Sequence, residues 1–171
     1  SAVSILDEIE TAFRRYGIIY FSIRDELFLS DRGLVLDVCR GIRERQLYIM
    51  WSCQSTPKEI SFDLLAEMKR SGCERIFLTA ESGSPKILAR HNASITVEDI
   101  ERASADIRKA GLYLTWYLTA GLEGEKHADV LKTIRLIRRS LPGDGIVAPA
   151  VYYPGSPACG RAFSEGSLAP A

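Results

Sequence analysis

The sequence predicts an α/β protein in which parallel strands alternate with helices. Three times a helical pattern ends at a glycine, Gly17, Gly72 or Gly111, and passes at once into an apolar segment. Glycine suits these positions because it readily adopts the left-handed conformation that stops a helix. The strand-like segments are spaced as parallel strands joined by crossover helices require. They begin near Ile18, Tyr48, Arg75, Tyr113 and Ile146.

Each predicted helix carries apolar residues at helical spacing, which we expect to face the core. In chain order these stripes are Ile5, Ile9, Phe13 and Tyr16; Leu34, Val35, Val38, Cys39 and Ile42; Leu64, Leu65 and Met68; Val97, Ile100 and Ile107; Val130, Leu131, Ile134 and Ile137. Pattern alone does not distinguish an open doubly wound sheet from part of a barrel, because both give this alternation.

Local signals indicate where some helices begin and where regular structure fades. Ser4 with Asp7, and Thr96 with Asp99, are predicted to be N-caps followed by acidic first turns. After Pro154 the content of glycine, proline, serine and alanine rises and the periodicity is lost. We therefore expect a mostly irregular chain in this last segment.

The composition is that of a globular domain and excludes several classes of function. The 171 residues include 22 Lys plus Arg and 22 Asp plus Glu, so no net charge attracts nucleic acid or an anionic membrane. No apolar stretch reaches the length of a membrane span and no signal pattern opens the chain, so we expect a cytoplasmic protein. The four cysteines are expected to be reduced thiols, with Cys53 packed in the core rather than bound to a metal.

Two loops that follow strands carry the residues that we expect to bind a ligand. Residues 81–84 follow the third strand and residues 121–125 follow the fourth. In a parallel sheet both loops lie at the carboxyl edge, where backbone N–H groups are available to a ligand. Glu81 can accept hydrogen bonds from ribose hydroxyls or from an amine. Ser82 and Ser84 can add polar contacts, and Gly83 allows the backbone to approach a ligand closely.

Structural interpretations of these residues stand beside the functional ones. Ser84 followed by Pro85 has the pattern of a helix start, with Ser84 as the N-cap. Asp25 and Glu26 end the first strand, where adjacent side chains point to opposite faces, so at most one of them faces the interior. Either is equally well a solvated loop acid or a cap for the helix that starts near Asp31.

Four further side chains are weaker candidates. Gln54 can point inward from the second strand, and Tyr117 can face the interior from the fourth, although strand aromatics are more often core residues. His91 and His127 have no partner at metal-ligand spacing. We interpret both histidines as surface residues at helix ends.

Taken in order, these segments resemble the radical S-adenosylmethionine (radical SAM) superfamily, in particular its cobalamin-associated and methylthiotransferase-like branch. The resemblance covers about residues 3–157. It rests on Asp7-Glu8-Ile9-Glu10, Asp25-Glu26-Leu27-Phe28, Trp51-Ser52-Cys53, Leu64 to Cys73, Glu81-Ser82-Gly83-Ser84, Ile95 to Asp99, Gly121 to Glu125 and Tyr153 to Pro157. It implies a partial TIM-like (β/α) barrel of parallel strands with outer helices, in which the first βα unit is incomplete.

The resemblance also implies cofactors: S-adenosylmethionine (SAM), a [4Fe-4S] cluster and, in this branch, cobalamin. Family members hold the cluster with a CxxxCxxC motif, but Cys39, Cys53, Cys73 and Cys159 are too widely separated to form any part of it. We therefore expect none of these cofactors in this chain alone. The resemblance places Asp25 or Glu26 near SAM or substrate and passes the loop that begins at Gly121 beside the adenine.

Several positions depart from the family pattern. The loop at residues 121–125 resembles the sequence Gly-Leu-Pro-Gly-Glu-Thr, but Glu123 and Lys126 replace its proline and threonine. Ala93 stands where the family usually has Lys or Arg, a partner for the SAM carboxylate. These departures leave the loop's rigidity and one SAM contact open.

The functional expectation is the C-terminal part of a radical SAM catalytic domain, inactive alone, whose complete parent cleaves SAM reductively and uses the 5′-deoxyadenosyl radical. The alternative is a non-catalytic barrel relic that acts as a binding or scaffolding module. We expect residues 1–157 to form the partial barrel and residues 158–171 a mostly irregular tail. The unpaired edge beside Ile18 to Ile23 is expected to allow self-association. The substrate is not specified by the sequence.

Overall fold

A computed structural model describes residues 1–25, 28–91, 94–164 and 166. It contains one five-stranded sheet whose strands follow the chain order from β1 to β5, every neighbouring pair being parallel. The strands are β1 (Tyr20–Ile23), β2 (Met50–Ser55), β3 (Cys73–Glu81), β4 (Tyr113–Ala120) and β5 (Asp144–Pro149). The helices are α1 (Ala2–Tyr16), α2 (Arg32–Glu44), α3 (Phe62–Arg70), α4 (Pro85–Arg90), α5 (Val97–Lys109), α6 (His127–Ser140) and α7 (Pro157–Ser164).

The strand order decides between the two architectures that the pattern left open. A doubly wound sheet reverses direction at a switch point, whereas this sheet runs from β1 to β5 without reversal. Right-handed crossovers in one direction place their helices on one face of the sheet. The sheet accordingly curls into a half-barrel with helices outside, and the predicted partial barrel is confirmed.

The core lies between the sheet and these outer helices. On β3 the side chains of Ile76, Leu78 and Ala80 are buried in this core, while Phe77 and Thr79 alternate with them and are half-buried on the opposite, concave face. The helices thus cover the apolar face of each strand. The concave face, which is the interior of the half-barrel, stays open to a ligand.

Most predicted boundaries are confirmed within two residues, including all five strand starts. Gly17, Gly72 and Gly111 have positive φ values of 67°, 94° and 72°, as predicted for residues that stop a helix. Thr96 forms a complete capping box with Asp99. The predicted cap at Ser4 is wrong, because α1 begins one turn earlier and Ser1 accepts a hydrogen bond from the Ser4 N–H.

Three further expectations are corrected. The residues of α6 that we expected in the core remain partly exposed, with Val130, Leu131 and Ile134 showing 40%, 37% and 39% of their surface. Val130 and Ile134 line a cavity together with Val147 of β5, which is the last strand of the described sheet. Tyr16 is exposed as well. The segment expected to be irregular contains α7, so that prediction is wrong for Pro157–Ser164.

Strand β1 forms one edge of the sheet, where the sequence analysis expected an unpaired edge. Ile18, Ile19 and Tyr20 expose 44%, 52% and 44% of their surface there. Self-association through this edge stays a prediction. Among the described residues, none of the helices combines the length and the apolar character that crossing a membrane requires.

Gly72 and Gly111 provide a matched test of how the helix-to-strand turns are built. An added Cβ at Gly72 would lie 2.2 Å from the Ile49 carbonyl oxygen, whereas a Cβ at Gly111 would meet nothing within 4 Å. We expect Gly111→Ala to cost about 1 kcal/mol through left-handed strain alone. Gly72→Ala adds a clash with backbone and should cost about 3 kcal/mol. Urea unfolding measures both values, and equal losses would contradict this difference.

Candidate functional site

The candidate site lies at the carboxyl edge of the sheet, where Glu81 ends β3 in an unusual conformation. Its φ of 59° is in the left-handed region, and the register of β3 against β4 shifts between Thr79 and Glu81. The Thr119 hydroxyl on β4 donates a hydrogen bond of 2.8 Å to Glu81 Oε2. A left-handed glutamate is strained, so the surrounding structure must hold it in place.

The loop after Glu81 is attached to helix α6. The Gly83 N–H donates a 2.8 Å hydrogen bond to Thr133 Oγ1, and a Cβ on Gly83 would lie 2.5 Å from the Thr133 Cα. We expected Gly83 to let the backbone approach a ligand. The structure shows that the missing Cβ is needed for the close approach of this loop to α6, and the ligand approach stays a prediction.

The two serines of this loop also have partners within the protein. Ser84 Oγ donates a 2.7 Å hydrogen bond to Asp129 Oδ1, and both residues are buried. Ser82 Oγ accepts from the Ser84 N–H at 3.2 Å. Ser84 stands at the N-cap position of α4 as predicted, but its side chain does not cap that helix because it is bonded to Asp129. A direct ligand contact for either serine stays a prediction.

Asp129, the buried acceptor in this contact, was missed by the sequence analysis. Its pKa is lowered from 3.8 to about 2, first because Ser84 donates a hydrogen bond to the carboxylate. Burial acts in the opposite direction, while Lys132 Nζ at 3.2 Å and the Lys126 N–H also favour the charged form. The only sequence signal was an acid in the first turn of an amphipathic helix, which usually means a solvated residue.

The second loop, residues 121–125, is held against α4 through a buried acid. Glu123 is 7% exposed and accepts hydrogen bonds from Arg90 of α4 and from Arg161 of α7, the latter at 3.2 Å. Burial raises the pKa of Glu123, but the hydrogen bonds from the two arginines outweigh it, so the pKa is lowered overall. Lys86 Nζ adds a 2.9 Å bond to the Gly124 carbonyl oxygen. Glu123 therefore joins this loop to two helices.

Gly121 begins this loop with a φ of 77°, and its N–H donates a 2.8 Å hydrogen bond to Glu125 Oε2. The backbone turn that the family resemblance implied is thus present although Glu123 replaces the proline. The predicted ligand contact of Gly121 is not tested by these bonds.

Gln54 and Tyr117 lie on the concave face, on the strands beside β3. Gln54 Nε2 donates a 3.3 Å hydrogen bond to Thr79 Oγ1. The Tyr117 ring stacks on Phe77 with 5.5 Å between ring centroids and 22° between planes. The structure therefore brings Gln54, Tyr117 and Glu81 onto three adjacent strands. Asp25 follows β1 at the same edge, and Glu26 and Ala93 lie outside the described residues.

A cavity of about 180 Å³ opens between the two loops, lined by Glu81, Ile87, Leu88, His91 and Leu122. His91 lies at the end of α4 as predicted, but its ring is half-buried and lines this cavity. His91 Nε2 lies 3.1 Å from the Glu123 carbonyl oxygen. His127 is exposed at the first position of α6, as predicted. The cavity thus combines apolar walls with a carboxylate and an imidazole.

The cysteines do not fit an iron-sulfur cluster. All four are free thiols buried in the protein, and burial raises the pKa of Cys39 to about 11. Burial, followed by the neighbouring Cys53, raises the pKa of Cys73 well above its ordinary value. No group of three or more His, Cys, Asp or Glu side chains in the described ranges could hold a metal. The expectation that Cys53 is a packing residue agrees with its complete burial.

Comparison with known proteins identifies the family. The sequence model of the Radical SAM superfamily matches residues 1–137. The chain belongs to the radical SAM superfamily. SAM and a [4Fe-4S] cluster are the cofactors that membership in this superfamily implies.

Individual relatives of this radical SAM chain are distant and longer. An uncharacterized methyltransferase from Pyrococcus horikoshii is 24% identical over 156 residues, which cover 91% of this chain and 34% of the relative. The anaerobic magnesium-protoporphyrin IX monomethyl ester cyclase of Rubrivivax gelatinosus is 24% identical over 136 residues, covering 78% of this chain and 24% of the cyclase. The chain thus spans about a third or less of these relatives.

A solved structure supports the fold of the radical SAM chain. The radical SAM methyltransferase TsrM from Kitasatospora setae, with cobalamin and a [4Fe-4S] cluster bound, superposes with a TM-score of 0.78. The two sequences are 17% identical, and the match covers 90% of this chain and 31% of TsrM. At this identity the likeness shows the shared half-barrel alone.

Because Glu81 has a left-handed conformation, we expect a glycine variant at this position to be more stable than an alanine variant, the reverse of the usual order in a strand. Glu81→Gly and Glu81→Ala both remove the bond from Thr119, but only glycine relieves the left-handed conformation. We expect the glycine variant to be more stable than the alanine variant by about 1 kcal/mol. At Thr79, two residues earlier in β3 and without a positive φ, the same pair should show the opposite order. Urea denaturation measures both pairs, and the same order at both sites would refute the assignment of strain.

The low pKa of Asp129 predicts a specific acid sensitivity. Because the folded-state pKa lies below the ordinary value of 3.8, ionised Asp129 stabilises the fold above that pH. This contribution is lost as pH falls towards about 2. Asp129→Asn keeps an acceptor for Ser84 but cannot titrate. The difference in the free energy of unfolding between wild type and variant should therefore shrink as the pH falls from 3.8 to about 2. Urea unfolding across the window measures it, and a constant difference would contradict the assignment.

Proposed function

We propose that this chain forms the SAM-binding wall of a radical SAM enzyme. In this proposal the Glu81 carboxylate accepts hydrogen bonds from the ribose hydroxyls of SAM, and the backbone at Gly121 and Leu122 passes beside the adenine. The observation that carries the proposal is the strained, left-handed Glu81 at the rim of the cavity. Strained residues of this kind cluster at active sites and ligand-binding positions.

The hydrogen-bonding capacity of Glu81 fits this role. Oε2 already accepts from Thr119, and Oε1 makes no hydrogen bond to any residue that the structure describes. An ionised carboxylate offers about four acceptor positions, so several stay available beside the cavity. The two neighbouring hydroxyls of a ribose ring can both donate hydrogen bonds to the free acceptor positions of one carboxylate.

In this proposal the concave face of the sheet provides the rest of the surface that contacts SAM and the substrate. Gln54 and Tyr117 flank Glu81 on strands β2 and β4, where they would contact the SAM methionine portion or the substrate. Asp25, at the end of β1, would lie near the same region. These side chains would orient the bound molecules and exclude water.

The residues that the structure describes provide no ligand set for an iron-sulfur cluster. When bound, such a cluster supplies the electron for reductive SAM cleavage. We propose that the cluster ligands belong to sequence outside this chain, which spans only 34% of its Pyrococcus relative. Cobalamin is proposed as a further cofactor of that complete protein, because the TsrM structure contains it.

Binding of nucleosides to the 171-residue chain tests the role of Glu81. We expect adenosine to shift the backbone amide resonances of Glu81 and Leu122, and 2′,3′-dideoxyadenosine, which lacks both hydroxyls, to bind about tenfold or more weakly. In Glu81→Gln the two nucleosides should approach equal affinity. Glu74→Gln, at the other end of β3, is the matched control and should keep the difference.

The possible results separate the proposal from its competitor. Equal affinity of both nucleosides for the wild-type chain would refute ribose recognition by Glu81. Shifts confined to residues away from the cavity would favour the scaffolding module over the SAM-binding wall.

A further inference from the structure

A cavity of about 420 Å³ opens at the amino edge of the sheet, opposite the candidate site. It lies between the turns that precede β2 and β3, and its lining includes Arg43, Tyr48 and Arg70. Cys73 and Glu81 begin and end β3, so at about 3.3 Å per residue the strand separates the two sites by about 26 Å. The volume lies within the range of roughly 300–1,000 Å³ that is typical of small-molecule sites.

Contacts between the two turns fix the backbone around this cavity. The Trp51 backbone N–H donates a 3.0 Å hydrogen bond to the Gly72 carbonyl oxygen, and Trp51 Nε1 donates a 3.1 Å bond to the Ser71 carbonyl oxygen. Gly72 also lies so close to the Ile49 carbonyl oxygen that an added Cβ would be 2.2 Å from it. The cavity is therefore preformed, which spares a ligand the cost of ordering it.

Two arginines give the cavity an excess of positive charge. Arg43 of α2 and Arg70 of α3 pair with the two carboxylate oxygens of Glu67, Arg43 Nη2 at a distance of 3.3 Å. Both arginines line the cavity, whereas Glu67 does not. Each guanidinium has five N–H donors, and beyond these contacts neither makes a hydrogen bond to a residue that the structure describes. One carboxylate thus offsets one of the two cations and leaves donors available.

The rest of the lining is mainly apolar and includes one open aromatic ring. Ile42, Leu47 and Ile49 line the cavity and are buried. Tyr48 exposes 82% of its surface, more than any other large apolar side chain in the described ranges. The cavity therefore offers charged donors for an anionic group beside apolar surface for a flat ring system.

We propose that this cavity is a second binding site, which takes an organic anion: a carboxylate, phosphate or sulfonate joined to a planar apolar body. The anionic group pairs with Arg43 and Arg70, whose guanidinium donors match the spacing of two oxygens. The planar body lies against Tyr48 and Leu47. The chain has 22 basic and 22 acidic side chains, so this local excess, and not net charge, attracts the ligand. The site is independent of the proposed SAM-binding wall.

Two fluorescent probes of similar shape test the proposal. 8-Anilinonaphthalene-1-sulfonate (ANS) is an anion, and N-phenyl-1-naphthylamine has the same rings without the sulfonate. We expect Arg70→Gln to weaken ANS binding to the 171-residue chain by about tenfold, and binding of the neutral probe by less than about twofold. Tyr48→Ala should weaken both probes by about fivefold, because both lose contact with the ring. Fluorescence titrations give the dissociation constants.

Two further variants control for charge. Glu67→Gln removes the acid that offsets the arginines and should tighten ANS binding by about threefold. Arg40→Gln changes the net charge by the same amount as Arg70→Gln, but Arg40 pairs with Asp37 on α2 and does not line the cavity. Both probes should keep their affinity for it within about twofold. The amide NMR spectrum of each variant reports whether it is folded.

Chemical shifts of backbone amides locate the bound ANS. Shifts at Tyr48 and Gly72 would support the proposed site. Shifts confined to Ile134 and Val147 would assign ANS to the exposed apolar surface of α6 and β5 and would overturn the proposal.

The affinities give further results that would overturn it. These are an equal loss of both probes in Arg70→Gln, an equal loss of ANS in Arg40→Gln, and a wild-type chain that binds neither probe. None of these results bears on nucleoside binding at Glu81, so the two proposals fail separately.

Discussion

The candidate site depends on the attachment of one loop to one helix. Residues 82–84 lie against α6, where the buried hydrogen bond from Ser84 to Asp129 and the bond from the Gly83 N–H to Thr133 hold them. A buried carboxylate is costly unless it is paired, and Asp129 is paired on several sides. Glu81 immediately precedes this loop, so the attachment of the loop to α6 helps to hold Glu81 in its strained conformation. The Glu81 carboxylate thus owes its position to contacts between residues 82–84 and α6.

The loop at residues 121–125 is also fixed in place, but by ion pairs of a buried carboxylate. Where the family resemblance implies a proline, this chain has Glu123, whose buried carboxylate is paired with Arg90 and Arg161. Proline restricts a loop by fixing its own backbone angle, whereas Glu123 restricts it through contacts with α4 and α7. The loop at residues 82–84 is thus held by α6 and the loop at residues 121–125 by α4 and α7. The contact of His91 with Glu123 depends on the second of these attachments.

Sequence reasoning predicted what depends on local pattern and missed what depends on long-range contact. The glycine stops and the strand starts follow from nearby residues, and motif order identified the half-barrel and the strand-end loops. The contact of Ser84 with Asp129 joins positions 45 residues apart, and no local signal predicts it. Apolar periodicity showed that α6 is amphipathic but not what lies opposite Val130 and Ile134. The partial burial of His91 was not predicted because its environment is made by Leu122 and Glu123, far along the chain.

The central place of β3 in the sheet has a consequence for how the molecule fluctuates. Strand β3 is hydrogen-bonded on both sides, to β2 and β4, whereas β1 and β5 each have one neighbour. Local opening of a native protein begins in segments with few partners and reaches doubly bonded strands last. Amide protons of β3 should therefore exchange with solvent more slowly than those of either edge. Because Glu81 ends β3, the described sheet can fray from both edges while the Glu81 carboxylate keeps its geometry.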